Sequence, residues 1–316
     1  MLNRRHLRVK VMQALYAYSL TEDKSIKDFE NALFRSIEEV DHMYIWTLNL
    51  LDEVAEYVVI DSEERAKKWL PSDKDKFLSS TKLNNNAFIE SLRQNRVYVE
   101  KVKKYKVDWS FDPEIVRSVY AQLKASETYT AYLQDEDRSI AKEKDIIKYV
   151  FKKIILKTPN IEQSLEARFI DWSVDKEVLQ AMIAKTFKNF SSDNPAQNKL
   201  ADLTPSWAED QEYVQELLSK AIRYQKEYAV LVGDKTKNWE SDRIALMDSL
   251  LMQMAITELL HFPTIPVKVT MNEYIEISKD YSTAKSSTFI NGILDKILSD
   301  LKQQGRIRKE GRGLQG

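Results

Sequence analysis

Apolar residues recur at helical spacing along almost the whole chain. A first helix is predicted from an Asn3 cap to about Leu20, with Leu7, Val11, Ala14, Leu15 and Tyr18 as its core stripe. Two further helical segments follow, an amphipathic one at about 26–40 and an apolar, aromatic one at about 42–60. Residues 61–75 are dense in charge and contain Pro71, which predicts a boundary. The polar stretch 190–206, with Pro195 and Pro205, reads as a linker. Beyond it, helices are expected at about Asp210–Val232 and Asp242–Leu260, the latter apolar almost all round and therefore central and buried. The next opens with Thr270-Met271-Asn272-Glu273, which reads as a capping box, with Val269 and Tyr274 as a hydrophobic staple. A last helix carries Phe289, Ile290, Ile293, Leu294, Ile297 and Leu301 on one face. Gly292 lies inside it, at a cost of about 1 kcal/mol relative to alanine. Residues 303–316 read as a flexible basic tail.

Three stretches, "WSFDPEIV" (109–116), "WSVDKEVL" (172–179) and "WAEDQEYV" (207–214), share Trp-x-x-Asp-x-Glu. Each reads as a helix start, with Asp112, Asp175 and Asp210 as caps and the tryptophan docked on the bundle. The spacings are unequal, so this is not a repeat architecture.

Composition sharpens the class. The chain has 316 residues, six glycines, and none of them before Gly233. A sheet-rich fold would lack its easiest turn residues, and neither a P-loop nor a dinucleotide fingerprint is present. The expected class is all-α. There is no cysteine, and His6, His42 and His261 share no ligand spacing, so no metal site or cofactor is expected. Lys and Arg (48) balance Asp and Glu (49), so any charge signal is local. No apolar run is long enough for a membrane span. The apolar run "VMQALYAYSL" is broken by Gln13 and lacks a small-residue cleavage site, so a cytoplasmic protein is expected.

The sharpest local signal is the first helix. Arg4, Arg5, Arg8 and Lys10 crowd its opening turns, and no acid precedes Glu22. Cations there oppose the helix dipole, whereas backbone N–H groups and arginines together suit phosphate. Arg5, Arg8, Met12 and Tyr16 share a flank, and an aromatic beside arginines is what single-stranded RNA stacks on. The alternative is a solvated basic helix end with a core tyrosine. No catalytic centre is expected: Glu38–Glu39 and Glu63–Glu64 read as solvated faces, and no histidine accompanies Ser286, Ser287 and Thr288. Asp248 and Glu258 interrupt the apolar helix. A carboxylate in such a place is paired, exposed on a rim or reserved for a partner. For Asp248 a partner contact and pairing within the fold both stay open, and Glu258 reads as a structural hydrogen-bonding group.

Three blocks together resemble the bacterial transcription antitermination protein NusB family: "NRRHLRVKVMQALYAYSL" (3–20), "NWESDRIALMDSLLMQMAITELL" (238–260) and "IPVKVTMNEYIEISKDYSTAKSSTFINGILDKI" (265–297). The resemblance implies an all-helical core of two small bundles without catalytic activity or cofactor. It implies binding of a boxA-type single-stranded leader RNA together with the ribosomal protein NusE, within the RNA polymerase elongation complex, promoting ribosomal RNA transcription. Carried over by position, Arg4, Arg5, Arg8, Tyr16, Lys268, Tyr281, Phe289 and Asn291 would face RNA and Asp248 the protein partner. Gly292 would lie in a packed helix where the missing side chain admits another backbone. The chain departs from the family in length, in Lys285 where an acid is usual, and in Ser249 and Gln253 where arginines are usual. The expected organisation is an N-terminal core segment (1–60), a helical insertion (61–205), a C-terminal core segment (206–302) and the basic tail (303–316). A non-enzymatic scaffold that keeps the fold but binds only protein is the other reading. An RNA methyltransferase docking module is disfavoured by the lack of a glycine-rich cofactor domain.

Overall fold

The computed structural model describes residues 1–22, 25–67, 69–70, 72–192, 194–236 and 245–314. Among them all regular structure is helical, as the glycine-poor sequence predicts. The chain forms two compact units, one of residue 1 and 38–203, the other of 2–37 and 204–316.

The second unit is assembled from both ends of the chain. It holds α1 (Arg4–Leu20) and the opening turns of α2 (Ile26–Ala66). The middle helices α3 (Asp73–Leu78), α4 (Ala87–Arg93), α5 (Arg96–Lys104), α6 (Pro113–Lys124), α7 (Glu127–Gln134), α8 (Ile140–Tyr149), α9 (Pro159–Arg168) and α10 (Trp172–Asn189) belong to the other unit. The chain returns with α11 (Trp207–Arg223), α12 (Gln225–Lys235), α13 (Leu246–His261), α14 (Val267–Tyr281) and α15 (Ser286–Gln303). α13 is the hub of its unit: it packs against α1, α11, α12, α14 and α15, and every residue from Leu250 to Leu259 is buried. A helix that is apolar on all sides needs such a surround of neighbours.

In the unit of 38–203 one long helix replaces two expected ones. α2 runs unbroken past Asp41 because that carboxylate finds partners: Lys101 Nζ and the Tyr105 hydroxyl each donate to it at 2.7 Å. Further along, Asp52 accepts from Arg93 Nε (2.6 Å), and Asp61 from the Tyr120 hydroxyl (2.9 Å) and Lys124 (3.1 Å). Three aspartates on α2 thus tie down α4, α5 and α6. An aromatic cluster of Phe88, Phe151, Phe187 and Phe190 fills the core between α4, α10 and the turn after α8.

The Trp-x-x-Asp stretches do mark helix starts, but not with the expected caps. Asp112 sits at the cap position of α6 and accepts instead from the Ser164 hydroxyl (2.6 Å). Trp172 and Trp207 are themselves first helical residues, which puts Asp175 and Asp210 inside the first turn. Trp109 and Trp172 are buried, whereas Trp207 is exposed.

The basic tail does not run free. Arg306 pairs with Glu227 (2.6 Å), the Glu310 N–H donates to the Pro263 carbonyl (3.0 Å), and Lys309 Nζ donates to the Phe262 carbonyl (2.9 Å). A cation at the carbonyl end of α13 complements its dipole. Gly313 lies so close to Pro263 that a Cβ would fall 1.9 Å from the proline carbonyl oxygen, so only glycine fits.

Candidate nucleic-acid interface

The site is built on α1. The Asn3 side chain accepts from the N–H groups of Arg5 (2.9 Å) and His6 (3.1 Å), and His6 Nδ1 accepts in return from the Asn3 N–H. This reciprocal cap fixes the first turn and with it the directions of Arg4, Arg5 and Arg8. The acids missing from α1 come from other helices. Arg4 pairs with Asp210 of α11 (2.9 Å) and lies over the Tyr213 ring at 4.1 Å. Arg5 makes a two-pronged contact to Glu273 of α14 at 2.9 and 3.0 Å.

Arg8 corrects its sequence assignment. Its side chain is 3% exposed and grips Glu258 of α13 with two bonds of 2.8 and 2.9 Å, which turns it into the core and not toward the surface that the assignment requires. Lys10 is buried as well. Around Glu258, the Tyr213 hydroxyl donates at 2.7 Å, the Thr270 hydroxyl at 2.7 Å and the Tyr274 hydroxyl at 3.3 Å. Thr270 and Glu273 therefore serve this network and not the expected capping box; α14 starts earlier, after Pro266. Glu258 fills the structural role read from the sequence. Burial alone would raise its pKa, but the Arg8 charge and the hydrogen bonds from Arg8, Tyr213 and Thr270 hold it below the ordinary 4.5. The Arg5 hydrogen bond does the same for Glu273. Burial also disfavours charge on Arg8, yet Tyr213 and Glu258 keep its pKa above the ordinary value.

Asp248 is likewise turned inward. It is buried, and it accepts from the Ser282 hydroxyl at 2.5 Å and the Ser286 hydroxyl at 2.9 Å, fastening the turn between α14 and α15. Gly292 is exposed, and nothing lies within 4 Å of where its Cβ would be. The packed-helix explanation therefore fails, since no neighbouring backbone approaches. It shares the outward face of α15 with Thr288, Asn291 and Asp295.

Of the remaining assigned residues, Arg4 (40%) and Arg5 (46%) keep part of each guanidinium in solvent, and Tyr16 is 40% exposed. Lys268 is exposed on the first turn of α14 and Asn291 on α15, while Tyr281 and Phe289 are half-buried. Arg5 and Arg8 are both joined to α14 by side-chain bonds to Glu273. Sequence reasoning missed Asp210 and Glu273 as partners of the arginines; the run of cations on α1 with no acid before Glu22 was the signal that acids had to come from elsewhere. The lead-in Trp239–Arg243 of the central block lies outside the described residues. Among the described residues no cluster of three or more histidines and carboxylates is placed to hold a metal ion, and no helix is long and apolar enough to cross a membrane.

A NusB family model matches residues 177–299, from within α10 to within α15. The transcription antitermination protein NusB of Salinibacter ruber is 45% identical over 105 residues, which is 33% of this chain and 66% of the relative. That of Chloroherpeton thalassium is 40% identical over 103 residues, 33% of this chain and 49% of the relative. That of Methylacidiphilum infernorum is 36% identical over 99 residues, 31% of this chain and 69% of the relative. The chain belongs to the NusB family. The matched segments span 66%, 49% and 69% of these relatives' lengths, and the chain as a whole is longer than the relatives. No solved structure matches the chain. Helix α1 lies outside the matched NusB span, yet it packs directly on α11, α13 and α14 within it.

Proposed function

We propose that the chain is a non-enzymatic, cytoplasmic transcription antitermination factor that binds a boxA-type single-stranded leader RNA with the ribosomal protein NusE. In this reading it joins the RNA polymerase elongation complex and promotes ribosomal RNA transcription. The observation that carries the proposal is the half-exposed Arg4–Arg5 pair at the N-terminus of α1, oriented by Asp210 and Glu273 in a NusB-family unit. Each guanidinium is held by a mostly buried acid, and its solvent-facing edges stay open to phosphate oxygens. Lys268 supplies a further phosphate contact, Tyr16, Tyr281 and Phe289 supply stacking surfaces, and Asn291 supplies a hydrogen-bonding amide for a base edge.

Replacing Arg4, Arg5 and Lys268 together by alanine tests this. Binding of the leader RNA should weaken, and the slope of log affinity against log salt should flatten by about 0.7 per lost phosphate contact. The burial of Arg8 and the internal pairing of Arg4 and Arg5 favour a second reading, a scaffold that binds protein alone. Under it the triple variant keeps its protein partner and the wild type shows no RNA preference.

A further inference from the structure

The unit of 38–203 holds a cationic cleft with no part in the site above. After α8 the chain leaves regular α-geometry for a π turn (Val150–Ile154) and then a tight 3-10 turn (Ile155–Lys157). Such departures from the α-ladder recur at functional positions. Here the turn buries Val150, Phe151, Ile154 and Ile155 while leaving Lys152, Lys153 and Lys157 exposed. Phe151 meets Phe187 of α10 (ring centroids 6.3 Å apart), which pins the turn against that helix.

Between the turn and α10 lies a cavity of about 670 Å³, lined by Lys152, Leu156, Lys157, Lys176, Gln180 and the small residues Ala181 and Ala184, with Phe151 behind. Its lining carries three ammonium groups and no carboxylate. Among the described residues Lys152 and Lys157 make no ion pair or hydrogen bond. Lys176 pairs with Glu162 at the rim, where both side chains are partly exposed. An exposed pair of this kind exchanges readily for a stronger anion. Like charges held around one hollow repel one another, so the arrangement is relieved by a bound anion. The alanines leave room for a ligand to reach the lysines, Gln180 adds an amide donor, and the volume falls in the range of ligand sites.

We propose that this cleft binds phosphate groups, held by Lys152, Lys157 and Lys176. The proposal stands apart from the antitermination reading, because it concerns other residues in the other unit. The same chemistry is offered by a nucleic-acid backbone and by a free polyphosphate, and the two are separable by experiment.

Lysine acetylation of the full-length chain, read by mass spectrometry, tests it in three arms: protein alone, with sodium tripolyphosphate, and with a short single-stranded RNA. The expected result is several-fold protection of Lys152, Lys157 and Lys176 in at least one ligand arm, with the exposed Lys67 and Lys226 unchanged. Protection by tripolyphosphate identifies a free-phosphate site; protection by RNA alone identifies a backbone contact. The K152Q/K157Q variant, whose changes lie on the surface, should keep the wild-type melting curve and lose protection at Lys176. Equal reactivity in all arms, protection spread uniformly over all lysines, or unchanged Lys176 protection in the variant would overturn the proposal.

Discussion

Arg8 and Glu258, 250 residues apart in sequence, form a two-pronged ion pair in which neither side chain is more than 3% exposed. The pair joins α1 to α13 and is closed over by Tyr213, Thr270 and Tyr274. It is the buried member of the arginine ion pairs that hold the N-terminal segment onto the segment that carries the NusB match. Removing one member leaves a buried charge without its partner. Arg8→Ala or Glu258→Gln should therefore cost about 3–5 kcal/mol in urea unfolding. A single-variant loss below about 1 kcal/mol contradicts this role.

The same carboxylates set an acid limit. Glu258 and Glu273 have folded pKa values below their unfolded value of 4.5, so their stabilising contribution is complete above that value. It is lost as pH falls through the folded values. Thermal midpoints should hold steady from about pH 7 to 5 and drop below about pH 4.5. Arg5→Gln, which removes the main cause of the Glu273 shift, should make that drop shallower. A midpoint that rises on acidification would contradict the assignment.

Much of this was legible from the chain. The Asn3 cap, the central burial of α13 and the structural role of Glu258 follow from local pattern and from the rule that a carboxylate in an apolar helix needs partners. What pattern alone does not reveal is which partner a polar group finds across the fold. Helical spacing groups Arg5, Arg8 and Tyr16 on one flank, but only the packed structure shows that Arg8 is buried and Arg5 is not. The expected break at Asp41 fails for the same reason, since Lys101 and Tyr105 supply the bonds that let α2 continue. Thr270 and Glu273 match a capping box in spacing, yet their side chains are drawn to Glu258 and Arg5.

Gly292 is a local weakness retained on an exposed helical face. Gly292→Ala meets open space and should raise stability by about 1 kcal/mol in denaturant unfolding. If the face next to Asn291 receives RNA, the same variant should bind the leader RNA less tightly while being more stable. A destabilised Gly292→Ala would show that the helix geometry, and not the free chain, demands glycine.

Gly313 gives the opposite expectation. A methyl group there collides with the Pro263 carbonyl, so Gly313→Ala should release residues 306–314 and with them the Lys309 contact to the end of α13. Limited trypsin digestion should then cut after Arg306 and Arg308 several-fold faster than in the wild type. Equal cleavage rates would mean that the tail is not held by this contact.

The most direct test of the functional account is fluorescence anisotropy with a short boxA-type leader RNA and a scrambled control, each with and without NusE, across a salt series. The account predicts tighter binding to the leader RNA, strengthened by NusE and weakened by salt. Equal weak binding to both RNAs, or none even with NusE, would contradict it.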